Sequence, residues 1–217
     1  FWATTCGAGF SGATVLRIAR SMVKALEGLS KADLVHGDCK PSNFLVSDED
    51  EIILTDFGTC RERNAPADDA AVVGTPRFAS SSALRGEVQS PSDDLEACAY
   101  ALAYLLTGRL PFAADYDDRT TLKASSDSSL ADAKDAVAPE LLCASSRKGE
   151  AQFDAASSVC AAFLREARES RIQGRDPDYA LLVPSSLPAG APDWRAAGVS
   201  WDDSGAIHLA DYDSCTT

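Results

Sequence analysis

Two polar motifs, His36-Gly37-Asp38-Cys39-Lys40-Pro41-Ser42-Asn43 and Asp56-Phe57-Gly58, stand on either side of two short apolar runs. The runs, Asn43-Phe44-Leu45-Val46 and Ile52-Ile53-Leu54, are joined by the polar stretch Ser47-Asp48-Glu49-Asp50-Glu51. Apolar, β-prone residues around a polar turn predict a hairpin. That hairpin is expected to fix Asn43 and Asp56 at opposite ends of one small sheet, both within reach of the same metal ions. The set brings together two carboxylates, an amide and one cation, Lys40. Phosphoryl transfer asks little covalent chemistry of a protein and rests on positioning and on neutralising charge, which these groups supply. Asp-Phe-Gly alone is three common residues. Joined to Asp38 and Asn43 at the D-x-x-x-x-N spacing, it becomes a specific pattern.

Helical periodicity supplies the frame around this pattern. Val15, Ile18, Ala19, Met22, Val23, Leu26 and Leu29 recur at helical spacing and lead into Leu34-Val35, read as a short buried strand. Leu95 to Leu106 is apolar nearly all round, the mark of a helix buried in the middle of a domain. Phe153, Ala156, Val159, Cys160, Phe163 and Leu164 form another amphipathic stripe. Residues 113 to 149 alternate Asp, Ser and Ala and predict a short helix with loops.

The order of motifs along the chain resembles the C-terminal lobe of a eukaryotic-type protein kinase, within the casein kinase 1 group. Beyond the two motifs above, the resemblance is carried by Phe10-Ser11-Gly12-Ala13-Thr14-Val15-Leu16 and Gly74-Thr75-Pro76-Arg77-Phe78-Ala79-Ser80. Asp93-Asp94-Leu95-Glu96 and Leu106-Thr107-Gly108-Arg109-Leu110-Pro111-Phe112 continue it. Leu142-Cys143, Phe153, Cys160, Leu164-Arg165 and Asp176-Pro177-Asp178-Tyr179 follow in the same order. It implies an α+β, protein-kinase-like fold: a mainly helical C-terminal lobe with a small β-hairpin over residues 1 to 183. Residues 184 to 217 are read as a linker followed by a short C-terminal hairpin. It also implies a serine/threonine protein kinase using ATP and Mg2+ on a protein substrate. Asp38 would be the base, Lys40 the contact to the transferred phosphate, and Asn43 and Asp56 the magnesium ligands. Thr75 would bond to Asp38 and Lys40, and Arg77 would meet phosphate or acidic residues of substrates. His36, Phe57 and Gly58 are given structural roles under and within the Asp-Phe-Gly turn, and Asp94 would anchor the catalytic-loop backbone.

The departures from that family pattern carry expectations of their own. Gly37 stands where most kinases have an arginine that pairs with a phosphate on the activation segment, as in the vaccinia-related kinases of the same group. Phosphomimetic changes over residues 59 to 75, Thr59 and Thr75 included, are therefore expected to leave activity unchanged. Residues 59 to 73 read as a mobile activation segment. Pro91-Ser92 replaces the paired arginines of casein kinase 1 enzymes, which weakens the case for a pre-phosphorylated substrate. Gly7, Gly9 and Gly12 have no strand-like run before them and no V-A-I-K-like segment after them. The N-terminal lobe that covers ATP is thus expected to be absent, and the chain to be a fragment of a longer kinase. The alternatives are a pseudokinase-type scaffold without catalysis and a small-molecule phosphotransferase, the latter drawn from His36-Gly37-Asp38 alone.

Composition narrows the partners. With 33 acidic against 20 basic residues the formal charge is −13, which repels nucleic acid and anionic membranes. Neither is expected as a partner. No apolar run approaches the roughly 20 residues needed to cross a bilayer. Seven scattered cysteines without C-x-x-C spacing read as reduced packing thiols, and two histidines are too few for a His-rich metal site. An intracellular setting, cytoplasmic or nuclear, is expected.

Overall fold

One helix organises the packing. In the computed structural model, α3 (Pro91–Thr107) is buried along nearly its whole length, with Leu95, Cys98, Ala99, Tyr100, Leu102 and Leu106 sealed from solvent. The structure describes residues 9–47, 52–63, 65, 74–112, 128–145, 148–182, 199–201 and 207–209. Alanines at 97, 99, 101 and 103 keep the surface of α3 shallow, so that α1 (Gly12–Lys31) and α5 (Ala151–Gln173) both pack against it and against each other. Each fully buried leucine in this three-helix contact contributes about 1.5–3 kcal/mol.

The start of α1 is set by Ser11, whose hydroxyl accepts the Thr14 amide at 3.2 Å. Its buried face holds Val15, Ile18, Ala19, Met22, Val23 and Leu26, the residues that its periodicity picks out. Helix α5 extends beyond the stripe read from Phe153 to Leu164, running on to Gln173 before a left-handed Gly174 ends it. Short helices α2 (Ser81–Leu84) and α4 (Ser128–Asp135) pack together on one side. Residues 113–127, read as loops and helix, lie outside the described residues.

Among the described residues strands are few and short. β1 (Leu34–Val35) pairs antiparallel with β4 (Arg61–Glu62), and β2 (Phe44–Val46) with β3 (Ile52–Leu54). β5 (Val199–Trp201) and β6 (Ile207–Leu209) pair antiparallel in a third ladder. The linker read after residue 183 and the turn at 202–205 lie outside the described residues. Two expectations need correcting here. Asn43 and Asp56 are at the same end of the hairpin. Phe44 faces Leu54, and the Thr55 amide bonds to the Asn43 carbonyl at 2.8 Å, so both flanking residues share the open end away from the turn. Nor is residue 59 onward wholly loose. β4 lies inside the stretch read as mobile, and the Arg63 guanidinium grips Asp176 and the Ser30 carbonyl. Residues 64 and 66–73 lie outside the described residues.

The contact of α1 with α5 is close enough to test. A Cβ on Gly12 would lie 2.0 Å from the Gln152 carbonyl oxygen, whereas one on Gly28, exposed later in α1, meets nothing within 4 Å. Gly12→Ala is expected to cost on the order of 3 kcal/mol in urea unfolding, by forcing the helices apart. Gly28→Ala is expected to add about 0.5–1 kcal/mol, because alanine loses less entropy in a helix. Equal effects of the two changes would contradict this packing.

Candidate active site

The loop between β1 and β2 is held from beneath by a helix carboxylate. Asp94, 4% exposed in the first turn of α3, accepts the His36 amide at 2.7 Å and the Gly37 amide at 2.9 Å. His36, itself sealed from solvent, is fixed by two more bonds. Its Nε2 meets the Thr55 carbonyl at 3.0 Å and its Nδ1 accepts the Asp38 amide at 3.3 Å. A carbonyl can only accept and a backbone amide can only donate, so the ring carries its proton on Nε2. The ring edge meets Phe57 at 5.2 Å between centroids. Gly37 takes φ +81°, a conformation that favours glycine, so its place in the loop has a local backbone reason besides the loss of an arginine.

Asp38 is thereby turned toward the segment that follows residue 74. Its Oδ1 accepts both the Thr75 amide at 2.8 Å and the Thr75 hydroxyl at 2.9 Å. Its Oδ2 lies 2.6 Å from Lys40 Nζ, and the same ammonium donates to Thr75 Oγ1 at 2.9 Å. The three side chains form one closed cluster, with Asp38 11% and Lys40 25% exposed. Gly74 permits the approach. A Cβ there would stand 2.6 Å from the Gly37 carbonyl oxygen, and the residue has φ +102°. Because the Thr75 hydroxyl is part of this cluster, the expectation that Thr75→Glu leaves activity unchanged does not stand. Thr59 is also engaged, donating to the His36 carbonyl at 2.8 Å.

At the open end of the hairpin, Asn43 Nδ2 donates to the Asp38 carbonyl at 2.9 Å, so Oδ1 is the side-chain atom that could ligate a cation. Asp56 is exposed and holds a left-handed backbone, φ 63° and ψ 67°. Such a conformation in a non-glycine residue costs of order 1–3 kcal/mol and gathers at functional sites. Two hard oxygen donors suit Mg2+, which takes one or two protein ligands and completes its shell with phosphate and water. Among the described residues no group of three or more His, Cys, Asp or Glu side chains forms a self-sufficient metal cage. Arg77 lies two residues beyond Thr75, its guanidinium 5.6 Å from the Tyr104 ring centroid.

Asp93 and Glu96 enter the sequence resemblance without a role, yet they brace this platform. Asp93 takes the hydroxyls of Ser80 and Ser82 on Oδ1 and the Ser90 amide on Oδ2. Glu96, fully buried, accepts the Ser81 amide and the Tyr100 hydroxyl and pairs with Arg171 at 2.6 Å. The available signal was three acids within four residues at the start of an otherwise apolar helix, since buried charges require partners. Arg171 lies 75 positions away and could not be matched from spacing alone.

The protein kinase domain model matches residues 4–175. A probable casein kinase I homologue of Encephalitozoon cuniculi is 37% identical over 117 residues, which is 50% of this chain and 38% of the relative. Casein kinase I homologue 2 of Saccharomyces cerevisiae is 33% identical over 120 residues, 49% of this chain and 22% of the relative. A casein kinase 1-like protein of Oryza sativa subsp. japonica is 34% identical over 151 residues, 63% of this chain and 20% of the relative. The matches thus span well under half the length of these relatives. No helix among the described residues is long and apolar enough to cross a membrane.

The loop anchor has a pH signature. Burial pushes the Asp94 carboxyl up to about 6 from its ordinary 3.8, against the opposing pull of the Gly37 and His36 amides. Between these values the folded chain holds a proton that the unfolded chain has released, so stability falls as pH rises. The stability of the wild type relative to Asp94→Asn should therefore drop by about 2 kcal/mol between pH 4 and pH 6.5 in urea unfolding. A difference independent of pH would contradict the raised value.

Proposed function

The chain belongs to the protein kinase family, and from that premise we propose that it supplies the catalytic machinery of a serine/threonine protein kinase of the casein kinase 1 kind. Its reaction moves the γ-phosphate of ATP onto a protein hydroxyl. The observation that carries the proposal is the closed cluster of Asp38, Lys40 and Thr75, joined to the hairpin end that bears Asn43 and Asp56. Thr75 and Lys40 restrict the Asp38 carboxylate to one orientation, so it needs no rearrangement to receive a proton. A serine or threonine hydroxyl gives that proton to Asp38 as its oxygen bonds to the γ-phosphorus and the bond to the ADP oxygen breaks. Lys40 balances the charge that gathers on the transferred phosphoryl oxygens. Asn43 and Asp56 would hold magnesium, which would neutralise charge on the phosphates.

The apolar surface beside the site fits the same reading. Leu45, Ile53 and Phe57 are 48%, 48% and 53% exposed at the hairpin and the turn after it. In the proposed enzyme a covering lobe closes on this surface and excludes water from the nucleotide. A binding module without catalysis has no use for the bonded Asp38–Thr75–Lys40 cluster, so the catalytic reading is the better supported.

The test uses the full-length gene product, with casein as acceptor. Asp38→Asn should lower kcat about 10²–10⁴-fold with little change in KM for ATP, the loss expected of a general base. Asp56→Ala should abolish magnesium-dependent ATP binding, measured by calorimetry. An Asp38→Asn enzyme with kcat within about tenfold of wild type would refute the assignment of the base.

A further inference from the structure

Lys134 is the one lysine among the described residues that is sealed from solvent, a condition that side chain almost never adopts without partners. It lies on the inner face of α4 with Leu130 and Ala131, four and three positions before it. Its ammonium donates to the carbonyls of Pro76 at 2.8 Å, Arg77 at 3.1 Å and Ala79 at 2.5 Å. An ammonium has three donors, and all three are used on one short stretch of backbone. The rings of Tyr100 and Phe112 flank it, with centroids 4.7 and 5.0 Å from Nζ. Burial pushes the amine down to about 7, opposed by the nearby Glu96 carboxylate. A core position serves an alkyl side chain at no such electrostatic cost, so the ammonium must be accounted for by what it holds.

What it holds begins one residue after Thr75. The Phe78 and Ala79 amides both return to the Thr75 carbonyl at 2.8 Å, so the segment is a tight turn closed on Thr75 at one side and on Lys134 at the other. Helix α4 is itself braced. Arg85 from the end of α2 bonds Asp132 and Asp135 at 2.7 Å, and Arg168 from α5 donates to the carbonyls of Lys134 and Val137 at 2.8 Å. The clamp therefore has a fixed base.

We propose that Lys134 is a positioning residue for phosphoryl transfer: its ammonium clamps the Pro76–Ala79 carbonyls and so holds Thr75 on Asp38 and Arg77 beside the site. The proposal rests on the kinase reading above. Lys134→Met keeps the side-chain length and its packing against Tyr100 and Phe112 while removing all three donors. In the full-length protein, amide hydrogen exchange over residues 74–80 should then quicken at least about tenfold, while peptides from α1 and α5 change less than about twofold. KM for a peptide acceptor should rise at least about tenfold with KM for ATP unchanged. Unchanged exchange at 74–80, or a uniform rise along the chain, would reduce Lys134 to core filling and overturn the proposal. Should Lys134→Met fail to fold, the wild type still decides. Hydrogen-bond couplings from Lys134 Nζ to the three carbonyls are expected in NMR spectra of lysine-labelled protein, and their absence would overturn the clamp. Faster exchange at 74–80 in the variant, beside a wild type that transfers no phosphate, would uphold the clamp and refute the kinase reading instead.

Discussion

A buried carboxylate gripping two backbone amides is the contact on which the rest of the site depends. Asp94 cannot move without α3, and α3 is enclosed by α1 and α5. Its two bonds to His36 and Gly37 therefore transmit the rigidity of the helical core to a loop whose own regular structure is the single 3-10 turn Pro41–Asn43. From there the dependence runs outward. His36 fixes the Asp38 amide and the end of β3, Asp38 receives Thr75, and Thr75 shares Lys40. Loops that carry chemistry are commonly mobile, and this one is built to be still.

The first two turns of α3 concentrate three acids, Asp93, Asp94 and Glu96, almost sealed from solvent. The helix N-terminus favours negative charge, but only by a fraction of a kcal/mol to about 2 kcal/mol each. The remainder comes from partners: serine hydroxyls and the Ser90 amide on Asp93, loop amides on Asp94, and Arg171 shared by Asp93 and Glu96. The acids fasten two neighbours to α3. Asp94 holds the loop that carries Asp38, while Asp93 and Glu96 hold the residues that start α2. Both sides of the site are thus referred to one helix, which accounts for their registry without any direct strand pairing between them.

The helical frame was legible because periodicity survives translation into three dimensions. The buried face of α1 and the all-round burial of α3 follow from the spacing of Val15 to Leu26 and of Leu95 to Leu106. Asp38, Lys40 and Asn43 could be picked out by type and spacing and Thr75 by the family resemblance, and the structure brings them together. What spacing could not convey was direction and distant pairing. Asn43 and Asp56 were read at opposite ends of the hairpin, although an antiparallel ladder brings its two flanks to one end. Leu34–Val35 reads as a strand, but its partner Arg61–Glu62 is polar and too short to carry an alternation that announces one. Lys134 was invisible for another reason. A lysine among Asp, Ser and Ala reads as solvated surface, and only its place beside Leu130 and Ala131 on one helix face marks it as buried.

The most direct test of the account is the structure of the full-length gene product with magnesium, a non-hydrolysable ATP analogue and a serine-containing peptide. The account predicts magnesium ligated by Asn43 Oδ1 and the Asp56 carboxylate at about 2.0–2.1 Å. It also predicts Asp38, still bonded to Thr75, within about 2.6–3.2 Å of the acceptor hydroxyl. A nucleotide bound away from the hairpin end, or an acceptor hydroxyl that reaches some other base, would contradict it.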